Sequence, residues 1–405
     1  MNKMLIVSQH FWPESFRIND LTDYFIERGY GIDVLCGMPN YPKGKFYDGY
    51  SYIKNRKQVH NKINIIRSLE IPRGKNSNIE IFLNYVSYPI LSLLKIPGLL
   101  RNKYDKIFIY QTSPVLMGLP GIIIGKIKKI ETIMYVLDLW PENLFSVLPI
   151  QNKFLKKLIT KVSLWHYKKV DKIVVLSEKM KQIIIERTNI SPEKVLIMPQ
   201  CCEKFYENDI VDKQLQQKYN KGFNIVFAGN MSPAQSFETI LYAAKKLQAE
   251  NIHDINWIMV GDGMSRKQIE EYIKENKLKG FYFEGFQKPT DIPKYHTIAD
   301  ALIACLVKSN LLECTIPAKV MSYIAAGKPI LLAMDGEVQE LINKQAQCGF
   351  ACNAEDGEIL YQNIRKLYYM TKEERNELGR RAKAYHYEHF ERDSNLDKLE
   401  KFIFN

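Results

Sequence analysis

The chain has 405 residues, 46% hydrophobic and 25% charged, which is enough apolar content for two packed domains and excludes wholesale disorder. Its formal charge of +12 is unevenly placed: residues 1–205 carry 31 Lys+Arg against 17 Asp+Glu, the rest 26 against 28. Such a field suits an anionic membrane surface, an anionic lipid carrier or a nucleic acid, with a solvated lysine-rich surface as the plainer alternative.

In chain order, Met1-Asn2-Lys3 leads into an apolar run short enough to be a first strand, and no signal peptide is expected. The first half then alternates short apolar runs with helical stretches, the pattern of βαβ units and a parallel sheet. Strands are predicted at Leu5–Ser8, Gly31–Leu35, Ile63–Arg67, Lys106–Tyr110, Thr132–Leu137, Lys172–Leu176 and Val195–Met198, with a helix over Arg17–Arg28 closed by Gly29. Residues 79–100 are strongly apolar but interrupted by Pro89 and Pro97, so no spanning helix is expected; a membrane contact would lie along the surface.

Residues 201–220, polar and without clean periodicity, read as a hinge after a first domain of residues 1–200. The strand pattern restarts at Phe223–Ala228 and continues at Ile255–Val260, Phe281–Glu284, Ala301–Leu306 and Ile330–Ala333. Helices are expected near residues 235–250, 264–277, 317–326 and 336–346. This second domain spans 221–385. Lys372–Phe402 reads as helical throughout, with 386–405 as a terminal helix crossing back to the first domain. Seven cysteines, an odd number with no CxxC pair, suggest neither a zinc site nor a disulfide framework; reduced cytosolic thiols are the expectation.

The segment Leu312-Glu313-Cys314-Thr315-Ile316-Pro317-Ala318-Lys319 is the most informative. A turn with a carboxylate runs into a helix opened by Pro317 and ended by Gly327, and Pro329 then leads into an apolar strand. A helix N-terminus offers unpaired amides and the positive end of its dipole, a seat for a diphosphate, with Lys319 one turn in to add charge. Further motifs follow the predicted strands: Ser8–Glu14, Met38–Gly44, Tyr135–Glu142, Phe227-Ala228-Gly229-Asn230, Val260-Gly261-Asp262-Gly263 and Glu284-Gly285-Phe286-Gln287.

Together these resemble, in order, the motifs of family 4 glycosyltransferases, closest in pattern to the N-acetylfucosaminyl-type transferases of bacterial O-antigen and capsule assembly. The resemblance implies the α/β GT-B fold, two Rossmann-like doubly wound domains facing across a cleft. It implies transfer from a nucleotide sugar, UDP-linked, with retention of configuration and with no cofactor or essential metal. Gly229 and Asn230 are expected at the pyrophosphate, where relatives place a basic pair that this loop lacks. Lys319, Arg266, Lys288 and Lys308 are the candidate replacements.

Relatives carry two glutamates seven residues apart. Here the second position is Ser322 and the first falls at Cys314 beside Glu313, so Glu313 is expected at the sugar and Ser322 at the ribose. Thr315 and Ile316 supply backbone to the phosphates, and Gly285, Phe286 and Gln287 line the base. On the acceptor side Asp138 is expected to face the reacting sugar, with helix capping as its alternative role. Glu142 is left open between the same two roles. His10, with Glu14 and Arg17, lies on the first loop, and a satisfied loop histidine is its alternative reading.

The expected acceptor is a saccharide on a polyprenyl diphosphate. Residues 41–57 and 79–101 would meet the anionic inner leaflet of a bacterial plasma membrane from the cytoplasm, and no nucleic-acid partner is expected. The competing functions are a GT-B nucleotide-sugar 2-epimerase, which needs no membrane-directed basic half, and a non-catalytic membrane or nucleic-acid binding protein, which would leave the phosphate loops unexplained.

Overall fold

Continuously apolar runs bounded by turn residues build two parallel sheets in the computed structural model, which describes residues 2–75, 77–147, 150–309, 312–314 and 316–405. Strands buried on both faces read as such runs because helices cover each side. The chain divides into two compact units: Met1–Met198 with Leu396–Asn405, and Pro199–Asn395.

The first unit holds β1 (Lys3–Val7), β2 (Gly31–Cys36), β3 (Lys57–His60), β4 (Ile63–Arg67), β5 (Lys106–Gln111), β6 (Thr132–Val136), β7 (Lys172–Val175) and β8 (Val195–Ile197). Their order is β3-β4-β2-β1-β5-β6-β7-β8, all parallel except β3, which pairs antiparallel with β4. The edge strand β3 was not expected. Its sequence, Lys57-Gln58-Val59-His60, is polar and has no buried apolar face to produce an alternating signal.

The helix Asn78–Ser92 runs straight through Pro89, and after a 3-10 turn at Leu93–Lys95 it continues as Ile96–Leu99. The two prolines therefore do not divide the segment. By length and composition alone Ile79–Leu99 is long and apolar enough to cross a membrane, with 28% of its most apolar window buried. Asn84, Tyr88, Ser92, Ile96 and Leu99 form its buried stripe at helical spacing, while Phe82, Leu83, Ile90 and Leu94 on other faces are exposed.

The second unit contains β9 (Phe223–Ala228), β10 (Ile255–Val260), β11 (Phe281–Gly285), β12 (Ala301–Cys305), β13 (Ile330–Ala333) and β14 (Gly349–Cys352), ordered β11-β10-β9-β12-β13-β14 and all parallel. Neighbouring residues point to opposite faces. Val226, Ile258, Leu302 and Leu332 enter one core, and Ile225, Trp257, Ile303 and Leu331 enter the other.

Residues 201–220 are not a free hinge. They lie within the second unit, where Asp212 caps the helix Lys213–Lys218 and Cys202 and Tyr219 join the core. The expected continuous helix at Lys372–Phe402 is broken at Glu391, whose backbone is extended and whose carboxylate accepts the amides of Asp393 (3.0 Å) and Ser394 (2.6 Å). Residues 386–390 prolong the preceding helix, and the final helix is Arg392–Phe404. Of it, Leu396–Asn405 belongs to the first unit: Leu399 and Ile403 are fully buried, Tyr30 donates to Glu400 (2.6 Å) and Arg28 pairs with Glu400 (3.0 Å).

Candidate active site

In the second unit the carboxyl ends of β9, β10 and β11 meet through glycines. Gly229, Gly261, Gly263 and Gly285 have φ of +147°, +128°, +159° and +69°. The contacts leave no room for side chains: a Cβ on Gly261 would sit 2.0 Å from the Gly229 carbonyl oxygen, and one on Gly263 would sit 2.5 Å from Asn230 Oδ1. The Gly229 amide donates to the Val260 carbonyl (2.9 Å) and the Gly261 amide to that of Gly285 (2.8 Å). Gly229 thus supplies close approach; its own N–H is already engaged.

Lys319 lies against this platform. A Cβ on Gly229 would be 3.0 Å from its Nζ, and the ammonium stands 4.0 Å above the Phe227 ring and donates to Gln235. No carboxylate among the described residues pairs with it. Desolvation pushes its pKa down from 10.5 to about 7.

Lys319 is held there by the helix Ala318–Ala326, which Tyr323 fastens to the sheet. The Tyr323 hydroxyl accepts the Ala228 amide (2.9 Å) and donates to the Ile303 carbonyl (3.3 Å). Pro317 is the residue before the helix, not its first helical residue, and provides no side-chain cap. The amides of Ala318 and Lys319 therefore open the helix without intrahelical partners. Gly327 closes it in the left-handed conformation, as its position predicts.

Ser322, one turn on, is buried and donates to the Lys319 carbonyl (2.8 Å), which leaves its oxygen lone pairs as acceptors. The Glu313 backbone packs on Gly336, where a Cβ would be 2.4 Å from the Glu313 oxygen. Ile316 packs on the core, and Thr315 lies outside the described residues. Arg266 opens the helix Arg266–Glu275, pairs with Glu270 (2.9 Å) and Asp262 (3.6 Å), and reaches to 4.0 Å of a Cβ placed on Gly285.

Beyond Gly285, the Phe286 ring is 76% exposed, and Gln287 turns back to donate to the Glu284 carbonyl (2.9 Å). Lys288 is exposed on the same loop. Gly229, Asn230, Lys319 and Ser322 therefore form one group with Gln235, Gly261 and Gly263, and Arg266 with Gly285 forms its neighbour. Gln235, Gly261 and Gly263 had no assigned role in the sequence reading, although Gly261 and Gly263 stand in a motif read there.

In the first unit Asp138 follows β6, and Ser113 follows β5. The Ser113 hydroxyl contacts Asp138 Oδ2 (2.8 Å) and Asn143 Oδ1 (2.9 Å) and accepts the Trp140 indole N–H (3.0 Å). Burial raises the Asp138 pKa against the opposing effects of Ser113 and Arg73. Its partners lie on the β5 loop, with no amide of the following helix Glu142–Val147 donating to it among the described residues. Glu142 instead makes a bidentate pair with Arg187 (3.0 and 2.5 Å).

Arg73 stacks on Tyr41 (5.1 Å) and Tyr85 (5.2 Å). Arg73, Tyr85 and Ser113 were not singled out from sequence; each lies on a different loop or helix, and no motif links them. His10 is buried, stacked on Phe16 at 4.7 Å, and its Nδ1 contacts Glu14 Oε2 (2.9 Å). The other Glu14 oxygen accepts the amides of Asn40 (2.8 Å) and Tyr41 (2.7 Å). Glu14 thereby orients the imidazole and ties the first loop to the second.

With this geometry in place, the comparisons with known proteins give a consistent result. Residues 209–385 match the family model described as "Glycosyl transferases group 1". The chain is 24% identical over 278 residues to the 2-deoxystreptamine N-acetyl-D-glucosaminyltransferase of Niallia circulans, covering 67% of this chain and 68% of that one. Anabaena HepE, solved with UDP and glucose, superposes with a TM-score of 0.69 at 14% identity over 99% of both chains. The sucrose-phosphate synthase of Thermosynechococcus elongatus superposes with a TM-score of 0.74 at 12% identity over 99% of this chain and 98% of that one. The fold is GT-B, residues 209–385 carry the signature of the group 1 glycosyl transferases, and these likenesses support a glycosyltransferase.

Proposed function

We propose that the protein transfers a sugar from a UDP-linked donor, with retention of configuration and without an essential metal, to a saccharide on a polyprenyl diphosphate during O-antigen or capsule assembly. The observation that carries the donor half is Lys319: a half-buried ammonium with no acid partner among the described residues, beside a close-approach glycine and at the open end of a helix. Amides and a cation so placed stabilise charge growing on a departing diphosphate. UDP in HepE and the N-acetylglucosaminyl transfer named for the Niallia relative support a UDP-linked, N-acetylated hexosamine donor, of which a deoxyhexosamine is the form proposed.

For retention, the leaving phosphate takes the acceptor's proton on the face it departs from, so no enzyme nucleophile is required. Asp138, buried beside Ser113, and His10, oriented by Glu14, are proposed to meet the acceptor sugar. The carrier-lipid reading rests on charge: the first unit holds 32 Lys+Arg against 18 Asp+Glu, and the second 25 against 27. That distribution favours a cytoplasmic protein working at the anionic inner leaflet.

The test is a thermal-shift comparison of UDP, GDP and a short oligonucleotide, followed by calorimetry on Lys319→Ala. Stabilisation by UDP that is weakened at least tenfold in the variant is expected. An unchanged dissociation constant removes Lys319 from the donor site. Mass-spectrometric screening of nucleotide sugars against a lipid-diphosphate saccharide then identifies the donor.

A further inference from the structure

A cavity of about 450 Å³ in the first unit is walled almost wholly by hydrocarbon. The helices Asn78–Ser92 and Lys153–Lys168 form its sides through residues that include Phe82 and Leu158, and Trp140 and Pro114 close its inner end. Its rim residues Ile79, Phe82 and Leu158 are 73%, 56% and 47% exposed. Large apolar side chains standing in solvent around a preformed slot mark a surface that is covered in use.

Charge and continuity identify what covers it. The helix Lys153–Lys168 contains no Asp or Glu, and its Lys153, Lys156, Lys157 and Lys161 are exposed on the faces that do not line the slot. A hydrocarbon slot beside a helix that is otherwise cationic is complementary to an amphiphile whose head is anionic. Directly behind the slot's inner end lies the polar cluster already described. Trp140 lines the slot and donates its indole N–H to Ser113 (3.0 Å), which contacts Asp138. Tyr85 lines it and carries the Arg73 guanidinium on its ring (5.2 Å).

We infer that this slot holds the proximal isoprenoid of the acceptor lipid, so that the enzyme reads the carrier's hydrocarbon as well as its sugar. The inference rests on the lipid-linked acceptor proposed above. At roughly 30 Å³ per non-hydrogen atom, the share of volume a water occupies in the liquid, the slot takes about fifteen carbons, or about three isoprene units. Arg73, stacked on the lining residue Tyr85, and the lysines of the helix Lys153–Lys168 supply positive charge for the diphosphate.

The experiment uses the full chain and a ladder of probes below their micelle concentrations: inorganic pyrophosphate, then geranyl, farnesyl and geranylgeranyl diphosphate, measured by calorimetry. Affinity is expected to rise at least tenfold from geranyl to farnesyl and to gain less than about twofold from farnesyl to geranylgeranyl. The double variant Phe82→Ser/Leu158→Asn changes two exposed positions and is expected to lose the chain-length gain while keeping its pyrophosphate affinity. Equal affinity for all chain lengths, or a variant that binds farnesyl diphosphate as tightly as the parent, overturns the inference. So does a variant that loses binding to phosphatidylglycerol vesicles yet keeps farnesyl diphosphate, which would make the face a bilayer dock. UDP calorimetry on the same samples tests the donor reading separately.

Discussion

Lys319 should change its protonation when the donor binds. Burial lowers its pKa from 10.5 to about 7, a displacement equivalent to about 5 kcal/mol against carrying charge. A diphosphate beside the ammonium restores the charged form. The sign follows from the direction of the shift: in the free protein the charge is present below about pH 7 and lost above it, so above pH 7 binding takes up a proton. Near pH 8.5 the free lysine is mostly neutral, and uptake should approach one proton per UDP, with the dissociation constant rising about tenfold per pH unit. UDP's own phosphate is fully ionised above about pH 7.5 and does not contribute. Calorimetry in two buffers of different ionisation enthalpy measures the uptake directly, and Lys319→Met should abolish it. Buffer-independent enthalpies at pH 8.5, or a dissociation constant flat across that range, would refute the placement of this ammonium at the diphosphate.

Other substitutions divide the two units' roles. Asp138→Asn should lower turnover by about 10²–10⁴ with UDP affinity unchanged; near-normal turnover would make the carboxyl a structural partner of Ser113. Gly229→Ala places a Cβ 3.0 Å from Lys319 Nζ at a φ of +147°, so a stability loss of about 1–3 kcal/mol and a UDP affinity weakened about tenfold are expected from chemical denaturation and calorimetry. Glu142→Gln breaks a half-exposed pair with Arg187 and should shift stability by less than about 1 kcal/mol at normal turnover. A large turnover loss there would bring Glu142 into the reaction.

The strands were legible because each buried run is apolar on both faces, so that Phe223–Ala228 and Ile330–Ala333 appear within the sequence at their observed bounds. The edge strands β8 and β11 were legible as well, but β3, polar, and β14, a four-residue Gly-Phe-Ala-Cys run, were missed. Pro89 misled in the opposite direction: a surface helix with one buried stripe tolerates a proline where an isolated sequence window reads an interruption. Glu391 is an uncommon helix-capping residue, so the break it makes could not be seen in the pattern.

At the proposed donor end, one contiguous segment holds both the helix N-terminus and Lys319, so sequence alone makes them neighbours. The Asp138 surroundings are different. Ser113, Arg73 and Tyr85 converge from three separate places in the chain, and only the sheet order brings them together.

Leu396–Asn405 completes the first unit, although all of Pro199–Asn395 is translated in between. Until then the buried seats of Leu399 and Ile403 stand open to water, and Arg28 and Tyr30 lack their Glu400 partner. During synthesis the later half can therefore mature while the earlier one still waits for its closing helix. A nascent chain stalled before Leu396 should consequently expose an apolar seam to chaperones that the released protein no longer shows.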